Sequence, residues 1–198
     1  MIRSIYEVKD YVANNGLERT LNASFNRCHI NSPKITFYSV EKINRFCLLG
    51  LTLDYENYYN FLSEQFPAYP KFSAYLKDKV DYWKSKDESI DENDALVYLM
   101  KKFIVDPIDG KISELETKQI IEARYPNFTV TEPTPEEDMR ECFDFKLDNG
   151  SVSFFFQHKP KSLLDNLKER TKHSFLKVER AAYKHQRPIF FTKKAVNN

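Results

Sequence analysis

Three polar residues in the last third of the chain, Asp144, Gln157 and Lys159, are of the types that bind a metal ion beside a phosphate group. A hard cation such as Mg2+ takes oxygen ligands and keeps several waters, so a carboxylate and an amide oxygen can hold it next to a phosphate. A lysine beside the ion can orient or deprotonate the attacking water, or neutralise charge that develops on the phosphate. Together these types indicate metal-assisted hydrolysis of a phosphate ester.

A β-hairpin is predicted to position these residues. Apolar and polar residues alternate on both sides of Asn149-Gly150, a dipeptide that favours a two-residue type I′ turn. With that turn, Asp144 lies opposite Phe155 and diagonal to Gln157, so both polar side chains could reach one ion.

The two faces of the predicted hairpin differ in character. One face carries Asp144, Gln157 and Lys159 and is expected to be the chemical face. The other face is apolar and must pack on a core. Its members are Phe143, Phe145, Leu147, Val152, Phe154 and Phe156.

This pattern resembles the PD-(D/E)XK nuclease superfamily, in which an acidic residue on one strand precedes a (D/E)-x-K triplet on the next. Here the triplet is Gln157-His158-Lys159. Variants with Q-x-K occur among some restriction enzymes and transposon-encoded endonuclease subunits of the superfamily. The proline that precedes the family's first acid is absent before Asp144, which leaves Asp138 as a rival for that position.

The predicted order of elements also resembles the superfamily core, which runs helix, strand, hairpin, helix, strand. A helix is predicted over 113–124, with Ser113 as N-cap and Glu116 completing a capping box. The other elements are a strand over 128–131, a long helix over 162–185 and a strand over 188–192. The resemblance covers about residues 108–194 and therefore only the C-terminal half.

The resemblance implies an α/β (α+β) protein: a helical N-terminal region followed by a restriction-endonuclease-like mixed β-sheet core flanked by helices. It implies a metal-dependent nuclease that uses Mg2+ or Mn2+ to hydrolyse phosphodiester bonds, in DNA more than in RNA. Asp144 would be the principal metal ligand, Gln157 the second ligand and Lys159 the catalytic cation. The metal-facing glutamate of the first helix would be Glu116 or Glu122.

A basic segment follows the triplet. Residues 159–198 contain eleven Lys or Arg and three acidic residues, about +8, whereas the whole chain carries only +1. Cations at helical spacing in this segment are predicted to contact nucleic-acid phosphates, with an affinity that falls as salt rises. They are Lys161, Arg170, His173, Lys177, Arg180 and Lys184. A solvated helix face is the alternative interpretation.

Residues 1–105 are predicted to form a helical region for recognition or partner binding, with 106–198 as the nuclease core. A homodimer or a partner protein would be contacted through the helical region. Its helices are predicted over 4–13, 40–51, 55–65, 72–86 and 92–104. The aromatic residues of this region, together with Leu49, are expected to fill its core. The acidic run 87–94 is expected to be a solvated linker.

Several function classes are disfavoured by the sequence. The chain has four glycines and no phosphate-binding glycine loop. Asp109-Gly110 and Glu116 match the second half of an EF-hand calcium loop, but Val105 and Pro107 occupy positions that require oxygen ligands, so Gly110 is expected to serve a turn. Three scattered cysteines and the lack of a long apolar run predict a cytoplasmic protein with no membrane segment.

Two alternative functions remain open at the level of sequence. The first is a module that keeps a nuclease-like fold but binds nucleic acid or protein without catalysis, with Gln157 marking a lost acid. The second is a helical interaction protein in which the hairpin is scaffold and the basic segment binds an acidic partner.

Overall fold

The helices predicted for the first hundred residues are largely confirmed. The computed structural model describes residues 4–30, 39–64, 72–134, 143–159 and 189–193, and for 39–41, 158–159 and 189–193 it describes the backbone alone. The helices in these ranges are α1 (Val8–Asn14), α2 (Leu17–Arg27), α3 (Ser39–Leu48), α4 (Tyr55–Glu64), α5 (Phe72–Lys86), α6 (Glu92–Met100) and α7 (Asp106–Arg124). A short 3-10 turn, Ile5–Glu7, precedes α1.

The chain divides into two compact units, Met1–Lys111 and Ile112–Asn198. The division falls six residues after the predicted boundary between 105 and 106. Helices form the first unit, and the second combines the end of α7 with a four-stranded sheet. The protein is therefore of the mixed α and β class, as predicted.

Helix α2 was not predicted, although its sequence carries a helical signal. Leu17, Leu21 and Phe25 recur every fourth residue, and all three side chains are buried. This spacing places them on one face of a helix. The Phe25 ring contacts the rings of Trp83 and Tyr98, with centroid separations of 5.7 Å in both cases.

Aromatic residues form much of the core of the helical unit, as predicted. Phe46, Tyr58 and Phe61 are buried, and their rings lie within 6.1 Å of one another, measured between centroids. Leu49 is an exception because α3 ends at Leu48 and leaves Leu49 exposed.

The prediction for the start of α7 was wrong. A π-helical segment, Lys101–Val105, joins α6 to α7, which begins at Asp106. Gly110 therefore lies inside a helix and makes no turn. Ser113 is not an N-cap either, because it lies seven residues after the start of α7. Its carbonyl accepts a hydrogen bond of 2.8 Å from the Thr117 hydroxyl.

The acidic run 87–94 is built into the fold and is not a solvated linker. The Asp87 carboxylate accepts hydrogen bonds from the side chains of Ser24, Arg27 and Ser89. Asp91 caps α6 by accepting the backbone N–H of Asp94 at 2.9 Å. Carboxylates at helix N-termini satisfy free backbone donors and complement the helix dipole, so this run is structural.

The strands of the second unit follow one another in the sheet in chain order. They are β1 (Thr129–Thr131), β2 (Phe145–Asp148), β3 (Ser153–Lys159) and β4 (Ile189–Lys193). The β1–β2 and β2–β3 pairs are antiparallel, whereas β3 and β4 are parallel. A parallel neighbour needs a crossover connection, and residues 160–188, which separate β3 from β4 in the sequence, lie outside the described residues. The long helix predicted over 162–185 lies outside the described residues.

Candidate functional site

The hairpin that carries the candidate site turns one residue later than predicted. The Asn149 N–H donates to the Val152 carbonyl at 3.2 Å, so Gly150 and Ser151 are the two central residues of the turn. Gly150 has a φ of +84° and Ser151 has no positive φ. Positive φ at the first central residue alone is the requirement of a type II′ turn.

Side chains select this turn. The Asn149 carboxamide oxygen accepts the N–H groups of Ser151 and Val152 at 3.1 and 2.8 Å. The Asp148 carboxylate accepts the Gly150 N–H at 2.8 Å. Asn149 is thus fully used in holding the turn closed, which the type I′ prediction did not anticipate.

The later turn moves the strand register by two residues. Phe155 pairs with Lys146 and not with Asp144, and Asp148 pairs with Ser153. Side chains alternate with a period of two, so a shift of two leaves the paired residues 145–148 and 153–156 on their predicted faces. Phe145, Leu147 and Phe156 accordingly form the predicted apolar face, packed with Ile121 of α7. The prediction was wrong for Val152, which is exposed in the turn.

A β-bulge interrupts the ladder at Asp144. Its N–H donates to the Phe156 carbonyl at 2.8 Å, although Phe156 is already the partner of Phe145. Two consecutive residues therefore oppose one, which breaks the alternation of faces. Phe143 stacks on the Phe155 ring at 4.3 Å between centroids, on the face opposite to the predicted one. Asp144 itself is half-buried.

Gln157 lies on the same face of β3 as Ser153 and Phe155, and this face is buried. The three side chains are 7%, 4% and 5% exposed, in that order. The expectation of an open chemical face was therefore wrong for this part of the hairpin. The Gln157 amide oxygen accepts no hydrogen bond from any residue that the structure describes, which is uncommon for a buried polar atom.

Lys159 ends β3 two residues after Gln157. Its backbone is the register partner of Lys193 on β4, and that of Gln157 is the partner of Phe191. The described portion of Lys159 is its backbone, so its predicted catalytic role stays a prediction.

The structure does not bring Glu116 or Glu122 together with Gln157. Both glutamates are exposed on α7, a helix that contacts the sheet through Ile121. Ile121 packs on the face of Phe145 and Phe156, opposite to that of Gln157. This packing gives no support to a helix glutamate as third metal ligand, so that role of Glu116 or Glu122 stays a prediction.

Other predicted functional residues lie outside the described part of the chain. They are Asp138, Lys161, Arg170, His173, Lys177, Arg180 and Lys184. Within the described residues, no group of three His, Cys, Asp or Glu side chains is arranged to hold a metal ion. Cys28 and Cys47 form no disulfide bond within the described residues. No helix in the described ranges is long and apolar enough to cross a membrane.

Comparison of the chain with family models, with curated proteins and with solved structures finds no match. The candidate site therefore depends on its own geometry. That geometry comprises a bulge at Asp144, a buried amide oxygen at Gln157 and a lysine at the end of the same strand.

Proposed function

We propose that the second unit is a metal-dependent nuclease that hydrolyses phosphodiester bonds, with Mg2+ or Mn2+ as cofactor and DNA preferred over RNA. The observation that carries the proposal is the buried amide oxygen of Gln157, which lacks a hydrogen-bond donor among the described residues. Leaving a buried acceptor unsatisfied costs about 1–3 kcal/mol. A hard cation would satisfy this oxygen.

The donor set fits a hard cation that keeps most of its water. Gln157 offers an amide oxygen, and Asp144 offers a carboxylate whose backbone N–H bonds Phe156, the residue before Gln157. Because the bulge breaks the alternation of faces, the Asp144 side chain would have to turn toward the face of Gln157 to share an ion with it. Mg2+ beside a phosphate commonly uses only one or two carboxylates, so a cluster of three acids is not required. When bound, the cation would lower the pKa of the attacking water and stabilise charge on the phosphoryl oxygens.

Lys159 has a role of its own in this proposal. A lysine two residues beyond Gln157 on β3 would orient the attacking water or neutralise the charge that grows on the scissile phosphate. Bulges are frequent beside active sites because they redirect a strand residue, and the bulge at Asp144 supports a functional reading of this end of the hairpin. Glu116 and Glu122 have no part in the proposed site.

Substrate binding is assigned to the basic segment that connects β3 to β4 and continues beyond it. Its charge of about +8 contrasts with +1 for the whole chain, and neutralisation of phosphates releases counterions from the nucleic acid. Lys161, Arg170, His173, Lys177, Arg180 and Lys184 are the proposed contacts. Binding through them would weaken steeply as salt concentration rises.

A second candidate function is a non-catalytic module with a nuclease-like fold that binds nucleic acid or protein. The burial of Gln157, with 7% of its surface exposed, favours this candidate. A phosphate group could not approach so enclosed an amide without rearrangement of the residues around it.

Cleavage assays on the full chain test the proposal. Plasmid DNA, single-stranded DNA and RNA are incubated with Mg2+, with Mn2+, and with a chelator. We expect metal-dependent cleavage, reduced about 10²–10⁴-fold in Lys159→Ala, while DNA binding is nearly unchanged. Lys118→Ala is the matched control, because this lysine lies on α7 and pairs with Glu132.

The possible results separate the two candidates. Equal cleavage by the Lys159→Ala and Lys118→Ala variants would end the catalytic assignment. Salt-sensitive DNA binding without cleavage in either metal would support the non-catalytic module.

A further inference from the structure

A cavity of about 620 Å³ opens within the helical unit, and neither the nuclease proposal nor the sequence analysis accounts for it. Its described lining residues come from the N-terminal turn and from α4, α5 and α6. Pockets that bind small molecules enclose about 300–1,000 Å³. The cavity is therefore of a size that suits a small organic ligand better than a peptide helix, whose diameter is about 10–12 Å.

The floor of the cavity is apolar. Leu76 and Val80 of α5 are almost fully buried beneath it, and Leu96 and Met100 of α6 are half-buried at its side. An apolar ligand body would displace water from the exposed parts of Leu96 and Met100, which gives about 25 cal/mol for each Å² buried. The floor thus selects for an aryl or alkyl group.

The rim of the cavity carries more negative than positive charge. Glu56 and Glu92 line it, and Lys77 is the lone cationic side chain among the described lining residues. Glu92 is 3.5 Å from Lys84, whereas Glu56 forms no ion pair with any described residue. Its carboxylate is available to a ligand.

The pKa of Tyr6 indicates a negative electrostatic potential on the side of the rim near Glu56. The pKa of its phenol is raised by loss of water contact, then by the negative charges of Asp54 and Glu56. The Tyr6 ring is 52% exposed at the rim, and the Tyr59 ring also lines the cavity. Aromatic faces beside carboxylates attract ammonium groups through cation–π and charge interactions.

We propose that this cavity binds a small organic cation, with an apolar aryl or alkyl body on the floor and an ammonium group between Glu56 and the Tyr6 ring. The floor provides affinity by burial, and the rim provides selection by charge. The site lies within the first unit and is independent of the proposed nuclease site.

A matched series of three probes tests the proposal on the full chain. 4-Phenylbutylamine is the cation, 5-phenylpentanoate the anion and 4-phenylbutanol the neutral member, all with the same phenylbutyl body. Binding is followed by the NMR signals of methionine methyl groups labelled with carbon-13. The chain has three methionines; Met100 lines the cavity, and the other two, Met1 and Met139, lie outside the described residues. Its signal is assigned with Met100→Leu.

We expect the amine to shift the Met100 signal at lower concentration than the alcohol or the carboxylate does. Glu56→Gln should weaken amine binding about three- to tenfold and leave alcohol binding unchanged. Glu64→Gln is the matched control, because Glu64 is an exposed glutamate on the same helix that does not line the cavity.

Three results would overturn the proposal. Equal binding of the three probes, or an equal effect of Glu56→Gln and Glu64→Gln, would remove the selection for a cation. A Met100 signal that responds to none of the probes would remove the binding site itself. Loss of amine binding in Leu96→Trp, which fills the cavity from its side, would support it.

Discussion

The two units of this protein satisfy their polar side chains differently. In the helical unit, Glu18 accepts hydrogen bonds from Lys101 at 2.6 Å, from Lys102 at 2.9 Å and from the Tyr98 hydroxyl at 3.1 Å. Asp106 completes the network with both lysines. The π-helical segment that begins at Lys101 places the two consecutive lysines on the same pair of carboxylates.

The sheet unit presents the opposite case at Gln157. This amide oxygen is buried and accepts no hydrogen bond within the described residues. Native proteins rarely leave such an atom unsatisfied. Polar groups that bond to one another stabilise the fold. A buried polar atom that has no such hydrogen bond is instead a candidate for binding a ligand or metal ion. The contrast teaches where to look for function: in the hairpin and not in the larger ion-pair network.

The largest expected effect comes from removing the unsatisfied amide. Gln157→Leu should raise the free energy of unfolding by about 1–3 kcal/mol in metal-free buffer, because it removes the desolvation cost of the amide oxygen. Mn2+ should raise the melting temperature of the wild type and not that of the variant. Urea denaturation and thermal melts with and without Mn2+ measure both effects.

Gln119→Leu is the control for this prediction, because Gln119 is exposed on α7. It should change neither stability nor the response to Mn2+ by a comparable amount. Destabilisation by Gln157→Leu would show that the Gln157 amide has hydrogen-bond partners in solution. The two units would then not differ in how their polar groups are hydrogen-bonded.

Lys79 is a buried charged residue in the helical unit, and its titration tests how that unit accommodates a polar group with few hydrogen bonds. Its side chain is 3% exposed, its ammonium group donates to the Ile30 carbonyl at 3.4 Å, and burial lowers its pKa to about 8. The unfolded chain therefore binds more protons between about pH 8 and the ordinary lysine pKa of 10.5, so stability rises with pH across that window.

Lys79→Met should raise the free energy of unfolding at pH 7 by about 1–2 kcal/mol, since it removes the cost of a buried charge. The gain should shrink by pH 10, where the wild-type amine is neutral in the folded state. Urea denaturation at pH 7 and pH 10 checks both statements, with the exposed Lys86→Met as control. A gain independent of pH would contradict the titration of Lys79.

Glu18 shows the effect of a satisfied network. Partial burial raises the pKa of its carboxyl, but hydrogen bonds and charges from Lys101 and Lys102 outweigh burial and lower the pKa to about 2. A lowered folded-state pKa contributes stability above the ordinary value of 4.5, and this contribution is lost as pH falls toward 2.

Glu18→Gln should lower the free energy of unfolding at pH 7 by about 1 kcal/mol, a value reduced by the exposure of the carboxylate to solvent. The difference from wild type should diminish between pH 4.5 and pH 2. The exposed Glu88→Gln, outside the network, should have little effect at either pH. An equal loss in both variants would show that the network adds no stability.

Much of the fold could be predicted from local sequence, because its signals are periodic. Helix α5 was predicted over 72–86 and has those bounds. Strand β4 was predicted to within one residue. The apolar face of Phe145, Leu147 and Phe156 was also predicted correctly, since an error of two in the register does not change which face a side chain occupies.

The details of the site could not be predicted in the same way. A bulge inserts one residue into the ladder without altering composition or spacing, so Phe143 gave no sign that it would join Phe155. The turn was decided by hydrogen bonds of the Asn149 side chain and not by the Asn-Gly preference. Gln157 is paired with Phe191 of β4, a residue distant in sequence. The alternation of apolar and polar residues along β3 alone does not predict the burial that such neighbours cause.

Substitutions of two glycines test these local assignments directly, and they have the smallest expected effects on the free energy of unfolding. Gly110 lies inside α7, where an added Cβ would meet no atom within 4 Å. Gly110→Ala should therefore raise the free energy of unfolding by about 0.5–1 kcal/mol, because alanine loses less backbone entropy in a helix. Had this residue formed the predicted turn, the gain would be absent.

Gly150→Ala should have the opposite sign. Space is equally open around its Cβ position, but its φ of +84° belongs to a region that L side chains avoid, so the substitution should cost about 1 kcal/mol. Urea denaturation of the two variants, measured in parallel, compares the same chemical change in a helix and in a turn. A loss at Gly110 would reverse its assignment to a helix. A gain at Gly150 would reverse the assignment of the turn, and with it the register that relates Asp144 to Gln157.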